Sequence, residues 1–271
     1  MKKLLFALLM LFCFYADAFG LRVVSLSPVV TEEIFLLGKE RYLVGCSSYA
    51  LLPKDFKVKK VGTLVNANIE EIVRLKPDYI FVSGMMSPMV IRKMKSLHLN
   101  VVYFGYPRSF DDICSQFLKL AKCVGGEKLA KEIVKKARAE VKKIYDKTKG
   151  LSKPTVFVEL GAHPIYTATK NSFVNDFIKF AGGINIAADS RSSLYSVEEV
   201  LRKNPDVIII SQMGFNGFKE KKRWEKFKFL KAVKNHRIFV LNDYSLCSPT
   251  PVSFVDTLKK IAHLLHPEVK F

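Results

Sequence analysis

The sequence predicts an α/β protein of two parallel-sheet lobes joined by one long rigid helix, with a ligand cleft between the lobes. Three observations carry this. The stretch 69–83 recurs, residue type for residue type at its key places, as 197–211. Short β-branched runs alternate with helix-like segments along the chain, the pattern of parallel sheets. Between the two halves, 127–147 keeps apolar residues at helical spacing with no Gly or Pro inside it.

In chain order, Lys2 and Lys3 precede an uncharged apolar run over 4–14, and Ala16-Asp17-Ala18 follows with small residues where a signal peptidase reads. The run is about eleven residues, short of the roughly 20 needed to cross a bilayer. Residues 1–18 are expected to be a cleaved signal peptide and the mature protein to be periplasmic. A lipid-modified Cys13 is the alternative, opposed by the bulky Phe12 before it.

The first lobe, 19–126, opens with a strand over 22–26 and continues with one over 43–46. In the repeat, Asn68 and Ser196 are helix N-caps. Glu71 and Glu199 stand three residues on, in capping-box position. Pro77 and Pro205 end the helices. The apolar runs after Asp78 and Asp206 read as covered parallel strands. A strand over 101–104, a helix over 111–124 and the linker helix, assigned 127–150, come next. The helix is a strut of about 30 Å. The second lobe, 151–271, has strands over 155–160 and 237–241 besides the repeat.

The net charge of +19 raises the question of an anionic polymer as partner. The lysines are scattered over helix faces and loops, and no nucleic-acid motif surrounds them, so no nucleic-acid partner is expected. No later segment is apolar enough to insert in a membrane. Phosphate-binding loops, dinucleotide fingerprints, zinc-protease and serine-hydrolase motifs are all missing, so no enzyme, catalytic residue, cofactor or protein-held metal is expected. Cys46, Cys114, Cys123 and Cys247 match no metal pattern. Cys46–Cys247 and Cys123–Cys247 remain open as disulfides.

Arg22-Val23-Val24-Ser25-Leu26-Ser27-Pro28 with Thr31-Glu32 resembles the opening of the helical-backbone (class III) periplasmic substrate-binding proteins of ABC importers. So do 44–49, Asn68-Ile69-Glu70, 75–78, Ala181-Gly182-Gly183-Ile184-Asn185 and Ser196-Val197-Glu198. The ordered set covers essentially the whole mature chain. The family serves cobalamin, ferric siderophores and haem, and the likeness is strongest to its cobalamin-binding branch. The resemblance implies a monomer that captures a metal chelate, carrying cobalt or iron, and delivers it to a membrane permease. It also implies that Glu70 and Glu198, one per lobe, dock on permease arginines.

For the ligand, the resemblance points to Tyr49 and to the loop holding Asp243, Tyr244 and Cys247. Tyr166 replaces an aromatic of the family, and Tyr195 stands where the loop is shortened. Leu64 and Ser83 occupy positions where the cobalamin branch has tryptophans, which weakens cobalamin as the specific cargo. Read from the residues alone, Met85, Met86 and Met89 follow the third strand as a soft apolar wall. His163 follows a second-lobe strand and is a candidate ligand contact.

Overall fold

The short β-branched runs fold as covered parallel strands in the computed structural model, which describes residues 20–242 and 244–270. The signal-peptide and Cys13 expectations, and Asp243, fall outside the described residues. The chain divides into two compact units. One holds the described residues up to Tyr106 together with Leu120–Gly126; the other holds Pro107–Lys119 and the residues from Glu127 on.

In the first unit the elements run β1 (Val23–Ser25), α1 (Pro28–Leu36), β2 (Leu43–Ser47), β3 (Lys59–Gly62), α2 (Ile69–Arg74), β4 (Tyr79–Ser83), α3 (Pro88–Ser96) and β5 (Val101–Phe104). The sheet order is β3-β2-β1-β4-β5, and every pairing is parallel. Val24, Leu26, Ile80 and Val82 pack with Val61, Ile72 and Met94 as its core. The edge strand β3 has no sequence signature. Two of its four residues are exposed lysines and only Val61 is buried, which is how a sheet edge resists unwanted pairing.

Helix α4 (Phe110–Val124) is shared between the units, and α5 (Glu127–Thr148) follows it. The buried stripe of α5 is Ala130, Val134, Ala137, Val141, Ile144 and Thr148. Leu129 and Tyr145, apolar at the same spacing, are instead exposed. No helix among the described residues is long and apolar enough to cross a membrane.

The second unit continues with β6 (Thr155–Glu159), β7 (Gly161–Ala162), β8 (Ile165–Tyr166), α6 (Phe173–Phe180), β9 (Ile184–Asn185), α7 (Val197–Lys203), β10 (Val207–Ser211), α8 (Gly217–Trp224), α9 (Lys231–Lys234), β11 (Ile238–Leu241) and α10 (Pro251–Leu265). Its parallel sheet has the order β11-β10-β6-β9, and β7 pairs with β8 as a separate antiparallel hairpin. Phe157, Val200, Ile208, Ile210, Trp224 and Leu230 form one core cluster. Phe254 of α10 stacks on Phe177 at 4.1 Å and on Phe110 at 4.5 Å between ring centroids. Glu140 and Thr148 tie α5 to this unit through Lys259 and the Phe180 carbonyl.

The repeat has a shared clasp. The Asp78 carboxylate accepts the Arg22 N–H at 2.7 Å, and the Asp78 N–H donates to the Arg22 carbonyl. Asp206 does the same with Thr155, at 2.8 Å and 2.9 Å. Each Pro-Asp turn thus pins the first strand of its unit beside the strand it introduces. The residues before the prolines, Lys76 and Asn204, both have left-handed backbone, φ 46° and 47°. Asparagine adopts this conformation more readily than lysine.

No disulfide joins the cysteines among the described residues.

Candidate functional site

Parallel strands end on one side of their sheet, so the loops that follow them share a face; in open α/β sheets that face is where ligands bind. In the first unit β2 runs into Ser48 and Tyr49. Ser48 bonds the Gly62 carbonyl through both its N–H and its hydroxyl, and the Tyr49 N–H donates to Ser47 Oγ. With its backbone tied down, the Tyr49 ring stands 60% exposed. Leu64 is half-buried in the tight turn after β3, where Thr63 Oγ1 accepts from the N–H groups of Val65 and Asn66.

At the end of β4, Ser83 Oγ is buried with no hydrogen-bond partner, and Met85 is exposed. Met86 corrects the sequence expectation. It is 2% exposed and packs in the core with Val24, Leu26 and Ile80, so it fills the interior and offers nothing to a ligand. Tyr106, after β5, was not singled out from the sequence. It is 68% exposed, and its ring lies over Gly84, where any Cβ would come within 2.8 Å of two ring carbons. The available signal was an aromatic two residues past a strand run.

In the second unit the hairpin β7–β8 follows β6 and carries both His163 and Tyr166. Tyr166 is exposed, and its carbonyl accepts from the Leu160 N–H at 2.7 Å. His163 is mostly exposed, with Nε2 3.3 Å from Glu220 Oε1. Tyr195 again departs from expectation. Its ring stacks on Phe157 at 5.6 Å and its hydroxyl reaches Glu199 at 3.3 Å. It lines a cavity of about 400 Å³ with Thr155, the first residue of β6. That is the amino end of the strand, so Tyr195 serves packing and the anchoring of Glu199.

Beyond β10, Gln212 Oε1 is buried without a partner and Met213 is exposed; both were missed from the sequence. Beyond β11, Tyr244 and Cys247 are half-buried. Cys247 Sγ lies 3.4 Å from Ser211 Oγ, and burial pushes the thiol's pKa up. No group of three or more His, Cys, Asp or Glu suited to a metal ion occurs among the described residues.

The two glutamate pairs divide their work. Asn68 and Ser196 accept the N–H of Glu71 and Glu199 as N-caps, both at 3.1 Å. The expected return bond of the capping box is replaced by ion pairs. Glu71 meets Lys59 and Arg74, and its carboxyl is held below the usual range, chiefly by the Lys59 hydrogen bond. Glu199 meets Arg202 at 3.1 Å. Glu70 and Glu198 are exposed. The carboxyl of Glu198 is also held low, by hydrogen bonds from its own backbone N–H and from Ser196. Glu70 borders a surface hollow of about 370 Å³ lined by Ala67, Ile69, Met89 and Val90.

A family model described as "Periplasmic binding protein" matches residues 23–244. An uncharacterized ABC transporter substrate-binding lipoprotein, YvrC of Bacillus subtilis (strain 168), is 29% identical over 256 residues, covering 91% of this chain and 80% of its own. A vitamin B12-binding protein of Yersinia pestis (strain Pestoides F) is 30% identical over 194 residues, 70% of this chain and 69% of its own. Among solved structures, a possible iron-binding (periplasmic solute-binding) protein from Staphylococcus epidermidis ATCC 12228 superposes with a TM-score of 0.79 at 30% identity, covering 90% of this chain and 98% of its own.

Proposed function

Because this chain belongs to the periplasmic binding protein family, we propose that it captures a metal-chelate nutrient, a cobalamin-type corrinoid first, and hands it to the permease of an ABC importer. It is a transport receptor and not an enzyme. The observation that carries the ligand class is the set of large exposed side chains on the segments that follow the strand ends, the β7–β8 hairpin included. In the first unit these are Tyr49, Met85 and Tyr106; in the second, Tyr166 and Met213. Aromatic faces and thioethers left in water favour a large ligand with an extended planar ring system, which a corrinoid or a haem offers. Ser83 Oγ and Gln212 Oε1, buried and unpaired, are free to orient its polar edge, since such groups usually have partners. Glu70 and Glu198 meet the permease.

Haem or a ferric siderophore is the second reading. It is favoured by Leu64 and Ser83, which offer no aromatic face where the resemblance implies one. Titration with cyanocobalamin, haemin and a ferric siderophore, followed by gel filtration and absorption spectra, decides the matter. Retention of the corrinoid in stoichiometric amount is expected. Retention of haem or siderophore alone moves the cargo to the second reading, and turnover without retention overturns the receptor.

The Tyr106–Gly84 contact gives a local check. Gly84→Ala is expected to swing the exposed ring aside, shifting stability by no more than about 0.5 kcal/mol. Ligand affinity is expected to fall about tenfold, equivalent to roughly 1.4 kcal/mol. Calorimetry beside thermal unfolding measures both.

A further inference from the structure

Glu159 ends β6 with its side chain fully buried. Its Oε2 accepts the indole N–H of Trp224 at 2.6 Å, while Oε1 has no hydrogen-bond partner. Trp224 is 1% exposed, at the end of α8. One turn earlier on that helix, Glu220 is buried too. Glu220 Oε2 takes a hydrogen bond from Arg223 Nη1 at 3.1 Å, and Oε1 faces His163 Nε2 at 3.3 Å. His163 is in the turn of the β7–β8 hairpin, three residues before Tyr166.

Polar groups thus run from the sheet interior to the hairpin: Trp224 bonds Glu159, the Glu220 charge acts on Glu159 through space, and Glu220 meets His163. The charged groups facing Glu159 are Glu220 and Arg223, both on α8. On β10 the residue across from it is Ile210, and the hairpin contributes His163 through Glu220. Nothing in the proposed capture of a ligand uses Glu159, yet a carboxylate with one bare oxygen is costly to bury as an ion.

We propose that Glu159 is a positioning residue whose protonation sets the hairpin carrying Tyr166, making ligand affinity pH-dependent. This rests on the receptor reading above. With the proton on, Glu159 is neutral and Glu220 is free to hold His163 as observed. With the proton off, the Glu159 charge repels that of Glu220. Glu220 is then pushed from its place, and the His163 contact that steadies the hairpin changes. Burial is the main force that lifts the Glu159 carboxyl, to about 7; the indole bond opposes it, the Glu220 charge adds to it and Arg223 subtracts. The proton therefore comes off within the ordinary pH range, and affinity is expected to be higher below neutrality than above.

The chain has a single tryptophan, and it is the one bonded to Glu159, so emission excited at the red edge of the absorption, where tyrosine does not absorb, reports on this site. Between pH 5 and 9 the emission is expected to titrate in one step near neutrality. Glu159→Gln keeps the shape and an acceptor for the indole, and should flatten the titration while the circular dichroism spectrum stays native. His163→Gln should keep the fluorescence step but remove the pH dependence of cyanocobalamin affinity. Flat wild-type emission, or an unchanged step in Glu159→Gln, overturns the assignment to Glu159. A fluorescence step with affinity equal at pH 6 and pH 8 overturns the coupling to the hairpin. Failure to bind cyanocobalamin at any pH, with the step intact, instead counts against the proposed cargo; haemin then serves as the affinity probe.

Discussion

Reversing both outer glutamates, Glu70→Lys with Glu198→Lys, is expected to abolish delivery of ligand to the permease and leave ligand affinity unchanged. Each glutamate is exposed at the second position of a capped helix, beside a neighbour already bound to lysine or arginine. The inner pair, Glu71 and Glu199, holds the local structure, so the outer pair is available for a partner. Lysine at either site would set like charges against a basic receptor surface and suppress the encounter. On a chain of net charge +19 these two acids are conspicuous sources of attraction to such a surface. Reconstituted importer supplies the test through ligand-stimulated ATP hydrolysis and uptake. Each single reversal should give a partial loss. Normal uptake by the double variant would remove both residues from the docking surface.

Trp224→Ala is expected to be the most destabilising single change in the second unit. The indole is buried against Phe157 and Phe227, with ring centroids 5.9 Å away in both cases. Emptying such a site costs about 3–5 kcal/mol. It also strands the second oxygen of Glu159, a further cost of about 1–3 kcal/mol for an unpaired buried polar group. Trp224→Phe keeps much of the volume and loses the N–H, so its cost should fall near the smaller figure. Urea denaturation followed by far-ultraviolet circular dichroism separates the two. Equal midpoints for the two variants would show that the indole N–H, and not the packing, carries the stability.

Much of this was legible from the residues. The repeat announced α2–β4 and α7–β10 because each element has its own local signal: a capping side chain, a helix-stopping proline, then a covered β-branched run. The long helix was visible because nothing interrupts its spacing. The edge strand β3 was not, since an exposed edge of lysines has neither an apolar run nor alternation. The hairpin β7–β8 was hidden by its shortness. At the site, exposure and burial were the illegible quantities. Met85 and Met86 are chemically identical neighbours, and only the turn after β4 decides which one faces water. The resemblance points to Tyr195 only through a shortened loop, where the matching position is hard to fix; its stacking on Phe157 is a matter of three dimensions. Trp224 sits among lysines and arginines, which mark a surface helix, yet its ring is on the inward side. The pairing with Glu159, 65 residues away, has no local trace.

The Pro-Asp clasps also bear on how the chain reaches this state. Asp78 and Asp206 reach back 56 and 51 residues to the strands they pin. The helix and turn around each aspartate are local and can form quickly, whereas the clasp closes a large loop whose entropy must be met before the parallel pairing rewards it. The two halves therefore share the same slow event, encountered twice. Long-range strand registration is expected to be slower than formation of the helices it joins.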